Sequence, residues 1–158
     1  MSKPFKKPNT DHEYRQWIKG YFEKKRTGLI IGVDKEYLTR LSKAGYVYMH
    51  KLIAAGRTKA DRQKLSKELD IPYDILYRII QCCDMAQIVG LSGKVLYYVY
   101  ELGYRTIDEY KNADAAKINQ EALDYLSSIG KRPIIPACSR PGNWVDDAKK
   151  IESLIEQD

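Results

Sequence analysis

The 158-residue chain is poor in the residues that catalytic or covalently braced proteins are built from, with three cysteines, two histidines and two phenylalanines. Cys82 and Cys83 are adjacent and Cys138 is distant, so they make neither a disulfide framework nor a metal-ligand spacing. They suit a reducing compartment. His12 and His50 have no serine or cysteine elbow, paired-carboxylate pattern, phosphate-binding loop or metal signature beside them, so neither a catalytic residue nor a cofactor is expected. No run approaches the roughly 18 apolar residues of a membrane span, and Met1-Ser2-Lys3-Pro4 has no apolar signal core. A cytoplasmic location without a membrane span is the expectation. No segment of four or more residues alternates with strand period, and neither Asn-Gly nor Asp-Gly occurs, which excludes the commonest hairpin signals. The chain is expected to be all-α.

Charge is plentiful but uneven. The net charge is +6. Basic residues outnumber acidic ones 8 to 3 over residues 1–27 and 10 to 6 over 28–80, but trail them 9 to 12 over 81–158. The first 80 residues thus carry +9 and the rest −3, so an anionic partner is attracted to the N-terminal half.

A repeat organises the sequence. Gly32-Val33-Asp34-Lys35 and Gly90-Leu91-Ser92-Gly93-Lys94 lie 58 residues apart, and the same offset pairs Leu38 with Leu96, Leu41 with Val99, Gly45 with Gly103 and Tyr46 with Tyr104. Each copy reads as one small helical assembly burying its apolar face against the other. The expected architecture is a compact pseudo-duplicated array of short helices in one fused globular domain. It divides into a flexible basic arm at 1–9, an amphipathic N-terminal helix at 10–27, a first unit at 28–83 and a second at 84–158.

Local signals place the helices. Thr10 with Glu13 opens the first, which carries Tyr14, Trp17, Ile18, Tyr21 and Phe22 to about Lys25. Helices follow after Asp34, at about 48–55, after Thr58, and after Pro72, where Ile75, Leu76, Ile79, Ile80 and Cys83 form an apolar stripe. In the second unit Ser92 is expected to cap a helix over 93–102, Thr106 with Glu109 makes a capping box, and Asp114 starts a helix to about Ile129. A segment punctuated by Pro133, Pro136 and Pro141 precedes a last amphipathic helix expected at about 143–156.

The segment Ile88-Val89-Gly90-Leu91-Ser92-Gly93-Lys94 resembles a helix-hairpin-helix turn. Glycines leave backbone N–H groups uncovered, the next helix points its positive dipole end at the same spot, and Lys94 adds a cation. Such turns grip nucleic-acid backbone without reading sequence. The first copy departs from this pattern: Lys35 replaces the glycine, and Asp34 caps a helix but repels phosphate. The intact turn therefore sits in the acidic half and the degenerate one in the basic half.

From about Tyr37 to Glu152 the chain also resembles the family catalogued as domain of unknown function 4332. The residues that carry the likeness include Ala54-Ala55-Gly56-Arg57-Thr58, Cys83-Asp84-Met85, Thr106-Ile107-Asp108-Glu109-Tyr110 and Trp144-Val145. The resemblance implies two helix-hairpin-helix-like units and no assigned activity; nucleic acid enters only by analogy.

The leading expectation is a non-enzymatic module that binds DNA backbone through Gly90, Ser92, Gly93 and Lys94, helped by Lys24, Lys25 and Arg26. The rival is a protein-interaction scaffold, a homodimer or a carrier of an apolar, lipid-like ligand. The chain has 13 tyrosines; Tyr97, Tyr98 and Tyr100 make one helix apolar nearly all round, and together with Tyr104 they are the candidate ligand or interface residues.

Overall fold

The computed structural model describes residues 10–130 and 141–158. The expected basic arm at 1–9, Pro133, Pro136 and Cys138 lie outside the described residues. Nine α-helices and no strand occur among the described residues.

Most helices begin where a short polar side chain meets an orphan backbone amide. In α1 (Asp11–Phe22) the Thr10 hydroxyl accepts from the Glu13 amide at 3.1 Å. The Asp34 carboxylate does the same for Glu36 at the start of α2 (Lys35–Lys43). Thr58 caps α4 (Lys59–Leu69), Thr106 caps α7 (Ile107–Lys111) and Asp114 caps α8 (Ala115–Ser128). Each such cap is worth about 1 kcal/mol. Glu109 in turn accepts from the amide of Arg105, the residue before the Thr106 cap, at 2.9 Å. Between these lie α3 (Met49–Ala55), α5 (Tyr73–Met85) behind Pro72, and α6 (Gly93–Glu101); 3₁₀ turns occur at Thr27–Leu29 and at Pro141–Trp144, the second leading into α9 (Val145–Ala148).

The fold is centred on α5. Residues 79–88 are buried without a break, because this helix is apolar on more than one face and packs against α3, α4 and α6. Tyr14, Ile18 and Phe22 of α1 join the same core, so the N-terminal helix is part of the globule.

Three local expectations need correction. Helix α1 stops at Phe22 rather than near Lys25, because the chain then pairs with residues 47–49: the Thr27 amide donates to Val47 and the Met49 amide to Lys25, both at 2.9 Å. Ser92 occupies the N-cap position of α6, but its hydroxyl makes no capping bond. The expected helix at 143–156 shrinks to Val145–Ala148, and the chain from Lys149 onward runs as a non-helical strap.

Tertiary bonds overrule helix propensity in that strap. The Asp84 carboxylate accepts from the Leu154 amide at 2.9 Å and the Ser153 hydroxyl at 2.6 Å, while the Glu156 amide donates to the Arg57 carbonyl. Ile151 and Ile155 are buried beneath it, so the apolar spacing that suggested a helical face is satisfied by a non-helical segment. Arg62 closes the far end. Its guanidinium is fully buried and donates to the carbonyls of Gly56, Arg57 and Glu156 and to the Asp158 carboxylate, at 2.8–3.1 Å.

Candidate functional site

The residues of the Gly90–Lys94 turn divide between two faces. Gly90 has φ +83°, and its Cβ side is occupied: a methyl group there would lie 2.6 Å from the indole Nε1 of Trp144. Gly32 in the first copy has φ +93° and meets the ring of Tyr97 at the same 2.6 Å. Both positions demand glycine, for the backbone angle and for the aromatic lid. Gly93 is different. With φ +56° it has only the tip of Ile31 nearby, 4.0 Å from where a Cβ would stand.

Helix α6 thus begins with an open end. An α-helix leaves its first amides without intrahelical acceptors. The Ser92 hydroxyl does not cap them, and the amides of Gly93, Lys94 and Val95 reach no acceptor among the described residues. Lys94 is exposed and forms no ion pair among the described residues. The corresponding end of α2 is filled by Asp34, which occupies the amides with its own negative charge.

The three cations at the end of α1 face three environments. Lys24 is exposed. Lys25 turns inward: its ammonium donates to the Ala86 carbonyl at 2.8 Å and lies 4.7 Å from the Tyr21 ring centroid. Burial pulls the pKa of Lys25 below its usual value, partly offset by Tyr21. Arg26 is exposed and stacks over Tyr48, with 5.8 Å between guanidinium carbon and ring centroid.

The tyrosines of α6 join elements together. Tyr97 covers Gly32 and meets Tyr98 edge-on at 5.9 Å, and Tyr98 meets Tyr125 of α8 at the same separation. Tyr100 is buried, donates to the Gln81 side chain at 2.7 Å and lies between the guanidinium groups of Arg78 and Arg105. Burial raises its phenol to about 12. Tyr104 donates to Glu121 at 3.0 Å.

Sequence reasoning missed Trp144 as the cover of Gly90, Arg62 as an interior anchor and Asp84 as the anchor of the strap. Trp144 and Asp84 stood only among residues of a family likeness, and no sequence signal singled out Arg62. Burial pushes the Asp84 carboxyl up to about 6 despite the hydrogen bonds from Ser153, Leu154 and Gln87. Among the described residues no group of three or more His, Cys, Asp or Glu is placed to hold a metal ion, and no helix is long and apolar enough to cross a membrane.

In comparisons with known proteins, the family model described as Domain of unknown function (DUF4332) matches residues 31–151. No curated protein and no solved structure matches the chain.

Proposed function

Since this chain belongs to the DUF4332 family, whose description carries no activity, we propose from its own surface that it is a non-enzymatic module binding nucleic-acid backbone. The observation that carries this reading is the uncapped start of α6, where amides without an acceptor among the described residues, the dipole's positive end and the exposed Lys94 fall within one turn. An anion there replaces the cap that Ser92 withholds. Phosphate contact of this kind is blind to base identity.

Two further features support the reading. Lys24 and Arg26 supply exposed positive charge on the more basic half of the chain. Helices α2 and α6 begin and end at positions related by the 58-residue offset, Lys35 to Gly93 and Lys43 to Glu101, and Gly45 and Gly103 share φ near +100°. That correspondence favours paired helix-hairpin-helix-like units. A cytoplasmic setting fits the two buried free thiols.

The rival reading has less behind it. Tyr97, Tyr98, Tyr100 and Tyr104 each have partners within the fold, so they offer a ligand or protein partner little unclaimed surface.

Fluorescence anisotropy with a labelled mixed-sequence duplex, titrated across NaCl concentrations, tests the proposal. Lys94→Glu weakens binding and lowers the slope of log affinity against log salt by about 1. Ser92→Asp, which caps the helix with its own carboxylate, has the same direction. Binding unchanged in both variants, or no binding by the parent protein, sinks the reading.

A further inference from the structure

A cavity of about 380 Å³ lies between α1, His50 and the C-terminal strap, away from the α6 terminus. That volume is within the range of small-molecule sites. Its floor is core: Ile18 and Phe22 from α1 and Ile151 from the strap are each less than 7 % exposed. The strap forms a fixed wall, because Asp84 holds Leu154 by its amide and Ser153 by its hydroxyl. This leaves the Leu154 side chain at the mouth, 44 % exposed, where water gains nothing from it.

The rim is cationic. Arg15, Lys19 and Lys150 line it, and none forms an ion pair among the described residues, although Glu23 and Glu152 line it as well. Lys150 rests its ammonium 4.9 Å from the Tyr14 ring centroid. Two polar side chains share the wall: the Gln87 amide nitrogen donates to the Asp84 carboxylate at 2.8 Å, and His50 holds a buried Nδ1 with no hydrogen-bond partner among the described residues. A second cavity of about 480 Å³ shares His50 and Leu154 with the first.

We infer that this cavity holds a single-chain amphiphile with an anionic head group, its tail against Ile18, Phe22 and Ile151 and its head at Arg15, Lys19 and Lys150. The combination excludes two simpler occupants. A neutral hydrocarbon leaves the cations unused, and a small inorganic anion leaves the apolar floor wet.

Isothermal titration with decanoate below its micellar concentration, run in parallel with decan-1-ol, tests the inference on the full chain. Saturable decanoate binding is expected. Arg15→Ser with Lys19→Ser weakens it about tenfold and leaves decan-1-ol within about twofold, because the two exposed cations act on the head group alone. Leu154→Trp, placed at the exposed mouth and checked by circular dichroism, weakens both ligands. The inference is overturned by absence of saturable binding, by loss of charge without effect on decanoate, or by binding that survives Leu154→Trp. Association with phosphatidylglycerol vesicles but not with dissolved decanoate also overturns it, since a surface and not a cavity is then at work.

Discussion

The indole of Trp144 lies against the α-carbon of Gly90, so close that a methyl group on that carbon would stand 2.6 Å from Nε1. Fifty-four positions separate the two residues, and the contact assigns the glycine a packing role alongside its backbone one. The glycine is needed for close approach as well as for its positive φ. The uncapped amides of the turn lie accordingly toward Gly93 and Lys94.

Gly90→Ala therefore combines two costs. The φ of +83° costs an L-residue about 1 to 2 kcal/mol, and moving the Trp144 ring adds about 1 kcal/mol or more. Gly45→Ala, at φ +98° with nothing within 4 Å of the added carbon, carries the first cost alone. Urea denaturation of the two variants measures the difference. Equal losses would show that Trp144 does not press on Gly90.

Lys24 and Lys25 are neighbours with opposite fates. Lys25→Met removes the donor to the Ala86 carbonyl and the cation beside Tyr21, so it lowers stability by about 1 to 2 kcal/mol. Lys24→Gln, at an exposed position, stays within about 0.5 kcal/mol of the parent. Thermal melts of both variants give the comparison.

Arg62→Met releases the strap. It leaves the carbonyls of Gly56 and Glu156 without their donor, and the expected loss is about 3 kcal/mol or more. Hydrogen exchange read by mass spectrometry reports fast exchange across residues 150–158 in the variant and protection in the parent. Unchanged protection would mean that the segment is held without Arg62.

Asp84 makes stability depend on pH. Its carboxyl is raised from the ordinary 3.8 to about 6, so the folded state binds this proton more tightly than the unfolded chain does. The contribution is greatest below about pH 4, falls as pH rises toward 6, and is flat above, a swing of about 3 kcal/mol. The slope of unfolding free energy between pH 4 and 7, parent minus Asp84→Asn, isolates it. A difference that rises with pH would contradict the assignment.

Cys82 and Cys83 should resist alkylation by iodoacetamide in the native protein, because burial lifts the Cys82 thiol to about 12 and that of Cys83 well above its usual value. Peptide mapping after brief labelling should show both unmodified, and modified after denaturation. Rapid native labelling of either would mean that α5 opens readily.

What the sequence by itself determined is local. The caps at Thr10, Asp34, Thr58, Thr106 and Asp114 each join a side chain to an amide two or three residues ahead, and the stops at Gly45 and Gly103 need only a positive φ. Such interactions are complete within one turn of chain, so a residue pattern reveals them. The all-helical class and the apolar run of α5 were legible for the same reason.

Tertiary structure decided the rest. Whether Lys25 faces solvent depends on Ala86, 61 residues away, and Arg62 is an interior cation because Glu156 and Asp158 arrive 94 and 96 residues later. The same holds for the strap, where Ile151 and Ile155 carry the spacing of a helix face but Asp84 and Arg62 bind the backbone that a helix would have kept for itself. A buried acceptor or donor must find a partner wherever the fold brings one, and no local pattern records which residue that is.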